Sequence, residues 1–165
     1  MKKIVYIFTC VALLAIASCS EWIDVSPKTD VESDELFDSE SGFKNALIGI
    51  YGRMTFTETY GREMTFGYVE ELAQRYDIGG QAYDPLLADD IYDYVTTGTD
   101  SKNRQATIWL NMYQTIANIN SLLSYIETNG QNIITEGYHD LIKGEALGLR
   151  AFHYFDLLRM WGPVY

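Results

Sequence analysis

Residues 141–163 read Leu-Ile-Lys-Gly-Glu-Ala-Leu-Gly-Leu-Arg-Ala-Phe-His-Tyr-Phe-Asp-Leu-Leu-Arg-Met-Trp-Gly-Pro. Leu141, Ala146, Leu149, Phe152, Phe155 and Leu158 recur near the helical period, and Gly162-Pro163 stops the run. The stretch predicts one long helix from about Glu136 to Trp161. Upstream, Ile108, Trp109, Met112, Tyr113, Ile116, Ile119, Leu123 and Ile126 form a second wide apolar face that starts near Asn103. Asn129-Gly130 closes it, glycine being suited to a left-handed cap. Two long helices joined by a short connection fold back on each other. The fold class is all-α, built on a helical hairpin.

Further out, Phe43, Ala46, Leu47, Ile50, Tyr51 and Met54 give another amphipathic stripe, with Asp38 or Ser39 placed to cap it and Gly52 near its end. A shorter helix is expected over Met64–Gln74, with Phe66, Val69, Leu72 and Ala73 turned inward. Residues 75–104 lose the period and hold Gly79-Gly80, Pro85 and Gly98, which reads as a long irregular loop. Ala151-x-x-x-Phe155 followed by Pro163 resembles the second helix of a tetratricopeptide repeat. The first-helix half of that signature is poor, because Trp109 is followed by Met112-Tyr113, and no second copy follows. A tetratricopeptide-like helix pair is expected, not a repeat array.

With 47% hydrophobic and 21% charged residues, the chain of 165 has a globular composition rather than a disordered one. Its 23 acidic against 12 basic residues give a net charge of −11, which counts against nucleic acid as a partner. Met1-Lys2-Lys3 followed by the apolar run Ile4–Ile16 is too short for a membrane span and reads as a secretory signal over residues 1–18. Ile16-Ala17-Ser18-Cys19 resembles a bacterial lipobox, which makes Cys19 the first mature residue and the carrier of a diacylglycerol thioether. Cys10 leaves with the signal, so Cys19 has no disulfide partner. Several acyl chains anchor durably where one does not, and an acidic body adds no electrostatic attraction to anionic lipid. Residues 19–37 are expected to be a lipidated tether, and 38–165 the helical body.

Tyrosine, at 13 residues, is the compositional outlier. A sugar presents an apolar C–H face to an aromatic ring and hydroxyls to amide, carboxylate and guanidinium groups. Gln74, Arg75, Tyr76, Asp77, Tyr83, Asp84, Tyr92 and Tyr94 offer that mixture and are the candidate ligand-binding residues; Gln81 lies among them. The same loop holds Asp89, Asp90 and Asp93, yet carries no calcium-loop spacing and no rigid frame for a pair of glycosidase carboxylates. His153-x-x-Asp156 sets an imidazole and a carboxylate one turn apart, and the bland reading is a helix-surface pair, with Asp156 and Arg159 also in register. Lys143, Glu145 and Arg150 read as rim charges, some of them pairing across the hairpin. No catalytic residue, metal or cofactor is expected.

Five motifs together resemble a known family. They are Trp22-Ile23-Asp24-Val25-Ser26-Pro27 after the lipobox; Gly42-Phe43-Lys44-Asn45-Ala46-Leu47-Ile48-Gly49-Ile50-Tyr51; Ile116-Ala117-Asn118-Ile119-Asn120-Ser121-Leu122-Leu123; Lys143-Gly144-Glu145-Ala146-Leu147-Gly148-Leu149-Arg150-Ala151-Phe152; and Phe155-Asp156-Leu157-Leu158-Arg159-Met160-Trp161-Gly162-Pro163-Val164-Tyr165. In this order they resemble the amino-terminal part of the SusD/RagB family of outer-membrane lipoproteins. The resemblance implies an incomplete SusD-like domain, mainly helical, that binds glycan or another nutrient without catalysing anything. It implies lipid anchoring in the outer membrane, surface exposure, and a TonB-dependent SusC-like transporter as partner to which oligosaccharide is presented. It also implies a truncated gene product, since its last motif lies early in the family fold. The other class of answer is a helical scaffold lipoprotein that docks a protein and binds no sugar, or a fragment without function.

Overall fold

The computed structural model describes residues 33–76 and 98–163. Within them the chain forms α1 (Ser33–Leu36), α2 (Glu40–Met54), α3 (Tyr68–Leu72), α4 (Thr99–Tyr125), a π-helical turn (Ile126–Gly130), α5 (Gln131–Ile133) and α6 (Glu136–Trp161), with no strand among the described residues.

Ser39 starts α2. Its extended backbone (φ −141°, ψ 151°) lets Oγ accept the Gly42 N–H at 3.2 Å, so serine rather than Asp38 holds the cap. Glycine at 42 is required by a close approach: a Cβ there would lie 1.6 Å from the Leu36 carbonyl oxygen. That contact turns the chain so that Phe37, the last residue of the expected tether, is buried between Phe43 (ring centroids 4.9 Å) and Tyr125 (4.2 Å). Asp34 accepts the Tyr125 hydroxyl at 2.7 Å. Phe43, Leu47 and Ile50 bury the predicted stripe, Ala46 and Met54 lie partly buried beside it, and Tyr51 at its edge donates to Glu145 Oε2 at 3.1 Å.

The long helices form the expected hairpin. Trp109 meets Trp161, Tyr113 meets Tyr154, Asn120 accepts from Arg150 at 3.0 Å, and Lys143 reaches Glu127 at 3.6 Å. Partner numbers rise on one helix as they fall on the other, so the pair is antiparallel. At 27 residues α4 is about 40 Å long. Arg53 near the end of α2 donates to Gln114 at 2.6 Å, while Glu40 at its start accepts from the Thr135 N–H (2.9 Å) and hydroxyl (2.7 Å). Hydrogen bonds from Lys44 and Thr135 hold the Glu40 carboxyl down at about 2. Helix α2 thus runs antiparallel to α4 and parallel to α6.

Several expectations are corrected. Helix α4 begins at Thr99 rather than near Asn103, burying Ser101 in its first turn. Gly130 is right-handed (φ −59°, ψ −36°), and the chain passes through a π-turn into α5 without a left-handed cap. Glycine is favoured there by space instead: a Cβ would meet Ile134 Cδ1 at 3.3 Å. The helix expected over Met64–Gln74 shrinks to α3, preceded by consecutive turns. Phe66 is exposed and Ala73 too, while Met64 and Tyr68 take the inward positions. Along α6 the buried face is Ile142, Ala146, Leu149, His153, Asp156 and Leu157; Leu141, Phe152, Phe155 and Leu158 stand exposed.

Candidate functional site

Of the residues expected to bind ligand, Gln74, Arg75 and Tyr76 are described, whereas Asp77, Tyr83, Asp84, Tyr92 and Tyr94 lie outside the described residues, as does Cys19. Gln74 takes a left-handed backbone (φ 54°), a conformation that costs a non-glycine residue on the order of 1 kcal/mol. The residue turns the chain off the end of α3. Just beyond it, the Arg75 N–H donates to the Glu70 carbonyl at 3.1 Å and its guanidinium reaches Glu70 Oε2 at 3.2 Å. The Tyr76 hydroxyl donates to the Phe66 carbonyl, leaving its ring half exposed. The Arg75 and Tyr76 side chains are thus tied to a short ledge beside α3, which the Gln74 backbone begins.

A buried ion cluster supports that ledge. Arg104, near the start of α4, donates to Glu63 Oε2 at 2.6 Å and 3.0 Å and to Glu71 at 2.7 Å and 3.1 Å. Glu63 is only 3% exposed and also accepts the Tyr68 N–H at 3.0 Å and Arg62 Nε at 3.1 Å. The guanidinium lies over the Tyr68 ring at 5.3 Å. Burial pushes the Glu63 carboxyl up, but the Arg104 and Arg62 hydrogen bonds outweigh it and hold it below 4.5. Burial likewise opposes the charge on Arg104, and its two carboxylates more than restore it. One arginine therefore ties together the residues on both sides of the 77–97 segment. Sequence reasoning passed over this cluster because Glu63, Glu71 and Arg104 are far apart in the chain and polar.

A second polar cluster sits on α6. His153 is fully buried (0%), with Nδ1 donating to the Leu149 carbonyl at 2.8 Å and Nε2 bonded to nothing among the described residues. A carbonyl only accepts, so Nδ1 carries the proton of a neutral ring. Burial pushes this imidazole below 6.5, against the Leu149 bond and the Asp156 charge. Buried Asp156 accepts the Tyr60 hydroxyl at 2.8 Å and Arg159 Nε at 3.1 Å. Burial first, and then the bond to Asp156, push the Tyr60 phenol up. His153 and Asp156 are thus an interior pair and not a surface one. Every oxygen of Asp156 is engaged, and no three His, Cys, Asp or Glu gather into a metal site among the described residues.

The largest departure from expectation is an aromatic groove on the hairpin. Trp109 and Tyr113 of α4 and Tyr154, Leu157, Leu158 and Trp161 of α6 line a cleft of about 370 Å³. Trp109 and Trp161 stand perpendicular with centroids 5.4 Å apart, Tyr113 tilts against Trp109 at 4.8 Å, and Tyr154 meets Tyr113 edge-on at 6.3 Å. Trp109 is 41% exposed and Tyr154 44%. The signal was present in the sequence: Trp109 and Tyr113 at i,i+4, and Tyr154, Leu158 and Trp161 at i,i+4,i+7, share a helix side. Counting Trp109 and Tyr113 with the buried stripe hid it.

Residues 21–165 match the family model SusD-like_3, described as starch-binding associating with outer membrane. SusD-like protein P25 of Formosa agariphila is 23% identical over 98% of this chain and 30% of its own length. A SusD-like protein of Bacteroides ovatus is 25% identical over 99% of this chain and 28% of its own. SusD-like protein P38 of Formosa agariphila is 26% identical over 93% of this chain and 28% of its own. The chain thus spans less than a third of the length of these relatives. No solved structure matches it. No helix among the described residues is long and apolar enough to cross a membrane.

Proposed function

The chain belongs to the SusD-like family of starch-binding proteins that associate with the outer membrane, and from that premise we propose that it is a non-catalytic lipoprotein that captures oligosaccharide for a TonB-dependent, SusC-like transporter. The observation that carries the reading is the family match, which runs from residue 21 to residue 165. In this reading Cys19 carries the lipid, the residues after it lead from the membrane to the body that Asp34 and Phe37 have already joined, and the 74–94 segment offers the ligand surface. Two observations support that last assignment. The ledge at Gln74–Tyr76 is held by the Arg104 cluster, so the segment leaves from a rigid base. Tyr76 also keeps its ring half exposed. Stacking on preformed rings saves the ordering cost of binding.

The test is calorimetry of the full chain in detergent with maltoheptaose, cellohexaose and mannohexaose. Binding to any of them that is lost when Tyr76, Tyr83, Tyr92 and Tyr94 are changed together to Ala supports the reading. Binding that survives this change removes the 74–94 segment from it. Absence of binding to all three removes the sugar and favours a scaffold that docks protein, the reading to which the exposed Leu141, Leu147, Phe155 and Leu158 of α6 lend weight. Cys19→Ala is expected to release the protein from membranes; attachment that persists through alkali refutes the lipid assignment.

A further inference from the structure

We propose that Tyr60, His153 and Asp156 form an acid-sensitive latch: it holds the turns of residues 55–67 against α6 at neutral pH and frees them, with the ledge they support, when the imidazole takes up a proton. That the ledge serves a ligand rests on the glycan-capture reading; the latch itself does not. Three contacts close it. The Tyr60 hydroxyl donates to Asp156 Oδ2 at 2.8 Å, the Tyr60 ring stacks on Phe152 with centroids 5.0 Å apart, and it meets the His153 ring at right angles, 5.4 Å away. The turns around Tyr60 are closed by short-range bonds, from the Gly61 N–H to Phe56 (3.0 Å), Met64 to Thr59 (2.8 Å) and Gly67 to Arg62 (2.8 Å), so they can part from α6 without breaking a helix. Three residues after Tyr60, Glu63 accepts Arg104 at 2.6 Å and the Tyr68 N–H at 3.0 Å. One short stretch of chain therefore joins the two buried polar clusters, and a displaced Tyr60 pulls on the carboxylate beneath the ledge.

A protonated imidazole has no acceptor in the closed form. Nδ1 already donates to the Leu149 carbonyl, and Nε2 is enclosed with no partner among the described residues. Asp156, one turn away, has one oxygen taken by Tyr60 and the other by Arg159. It is also the one charge that acts on His153 among the described residues. Contacts of Tyr113 with Tyr154 and of Asn120 with Arg150 set α4 against this part of α6, and residues 114–124 carry no titratable side chain. At the end of α2, Arg53 is engaged by Gln114 at 2.6 Å. Within the turns, Arg62 and Glu63 pair with each other, and Tyr60 presents a phenol that burial and the Asp156 bond push up. The new charge is relieved only by water or by the Asp156 oxygen that Tyr60 occupies, and either one requires Tyr60 to leave. Opening returns the imidazole to its ordinary 6.5, whereas burial in the closed form holds it lower, so the closed form is favoured above 6.5 and acid favours the open one.

Amide hydrogen exchange of the full chain in detergent reads the latch, with rates scaled for the intrinsic effect of pH. At pH 7.5 a peptide spanning residues 59–70 is expected to exchange at least about tenfold faster than one spanning 118–126, because the turns open without the core. Uptake of one proton should raise its rate about tenfold again by pH 5.5. H153Q, which cannot be charged, should keep the first difference and lose the second. Y60F keeps the ring but loses the bond to Asp156, so it should speed the 59–70 peptide by at least about threefold at pH 7.5.

Equal protection of the two peptides overturns the inference, since only global unfolding then reaches His153. So does a rate for 59–70 that ignores pH, an acceleration that survives in H153Q, or parent-like exchange in Y60F. If H153Q fails to fold, the parent decides. His153 and His139 are the chain's 2 imidazoles, and H139Q assigns their proton resonances. The acceleration must then begin near 6.5 and level off where His153 itself titrates in the closed form; any other course refutes the latch. No sugar enters these measurements, so their failure leaves glycan capture standing, and a chain that binds no sugar can still carry the latch.

Discussion

Around Ile119, Leu122 and Ile126 the body is sealed by Phe43, Leu47, Ile142 and Leu149 with no charge among them, whereas around Met112 and Ile116 the interior also admits Glu63, Asp156 and His153. The two halves of the hairpin thus meet the same demand, exclusion of water, by different means. Apolar packing is non-directional and degrades gradually when a methyl group is lost. Buried charges work only with every partner in place, because their removal from water has already been incurred. The polar half is therefore the more specific and the more fragile. It is also the half that fixes Arg104 between α3 and α4, so precision is concentrated where the candidate ligand surface lies.

The most direct way to break this comparison is Arg104→Ala. It leaves Glu63 buried without its main partner and is expected to cost about 3–5 kcal/mol in urea unfolding. Arg104→Lys keeps the charge but loses the fork that spans Glu63 and Glu71, so it should recover only part of that. A loss below about 1 kcal/mol in the alanine variant would place Glu63 among surface pairs and erase the distinction. In the apolar half, Leu122→Ala should cost about 3 kcal/mol, with an unchanged slope against urea. Its removal leaves no buried charge unpaired, which makes the loss smaller than that of Arg104→Ala.

The same contrast explains what the sequence revealed. Helices α2, α4 and α6 were legible because Phe43, Leu47 and Ile50, and Ile108, Met112, Ile116 and Ile119, repeat at the helical period. The carboxyl-terminal half of α6 was misread in its facing. Apolarity pointed to Phe152, Phe155 and Leu158, but the buried positions are His153, Asp156 and Leu157. Arg159 stands in register with Asp156, but nothing local says that the distant Tyr60 will take its other oxygen and let it be buried. The turns before α3 escaped for a similar reason: the Tyr68 N–H is taken by the Glu63 side chain, a bond that periodicity does not register. For the candidate site, aromatic content directed attention to 74–94. The groove needed two helices side by side, and its rings had already been assigned to the core.

Acid sharpens the comparison without truncating anything. His153 is neutral and shielded in the fold, with Tyr60, Phe152 and Asp156 against it. The unfolded chain takes up a proton near 6.5 while the folded chain does so only at lower pH, so stability begins to fall as pH drops through 6.5. Glu63 is held below 4.5, so its contribution is intact above 4.5 and disappears as pH falls further. Urea midpoints measured from pH 8 to pH 3 should show the upper loss and then the lower one. His153→Gln should remove the upper loss alone. A loss that survives unchanged in that variant belongs to another group and leaves the buried imidazole without consequence.

The smallest expected effect tests the apolar half at its edge. Ser39 donates nothing to the core, yet its Oγ accepts the Gly42 N–H that opens α2. Ser39→Ala leaves that N–H with the Ser39 backbone carbonyl at 3.0 Å and with water, since the cap is exposed. The expected loss is about 1 kcal/mol by thermal unfolding at pH 7, the usual value of a side-chain cap. Ser39→Asp should match the parent or exceed it, because a carboxylate both accepts the bond and meets the positive helix end. If the alanine variant is indistinguishable from the parent, the entry into α2 is fixed by Phe37 packing and by the Leu36–Gly42 contact alone. The apolar half would then need no polar group even at its margin, and the division of labour between the halves would be complete. If the loss instead approaches that of Arg104→Ala, a single exposed hydrogen bond governs the docking of α2, and the apolar half is no more tolerant than the charged one.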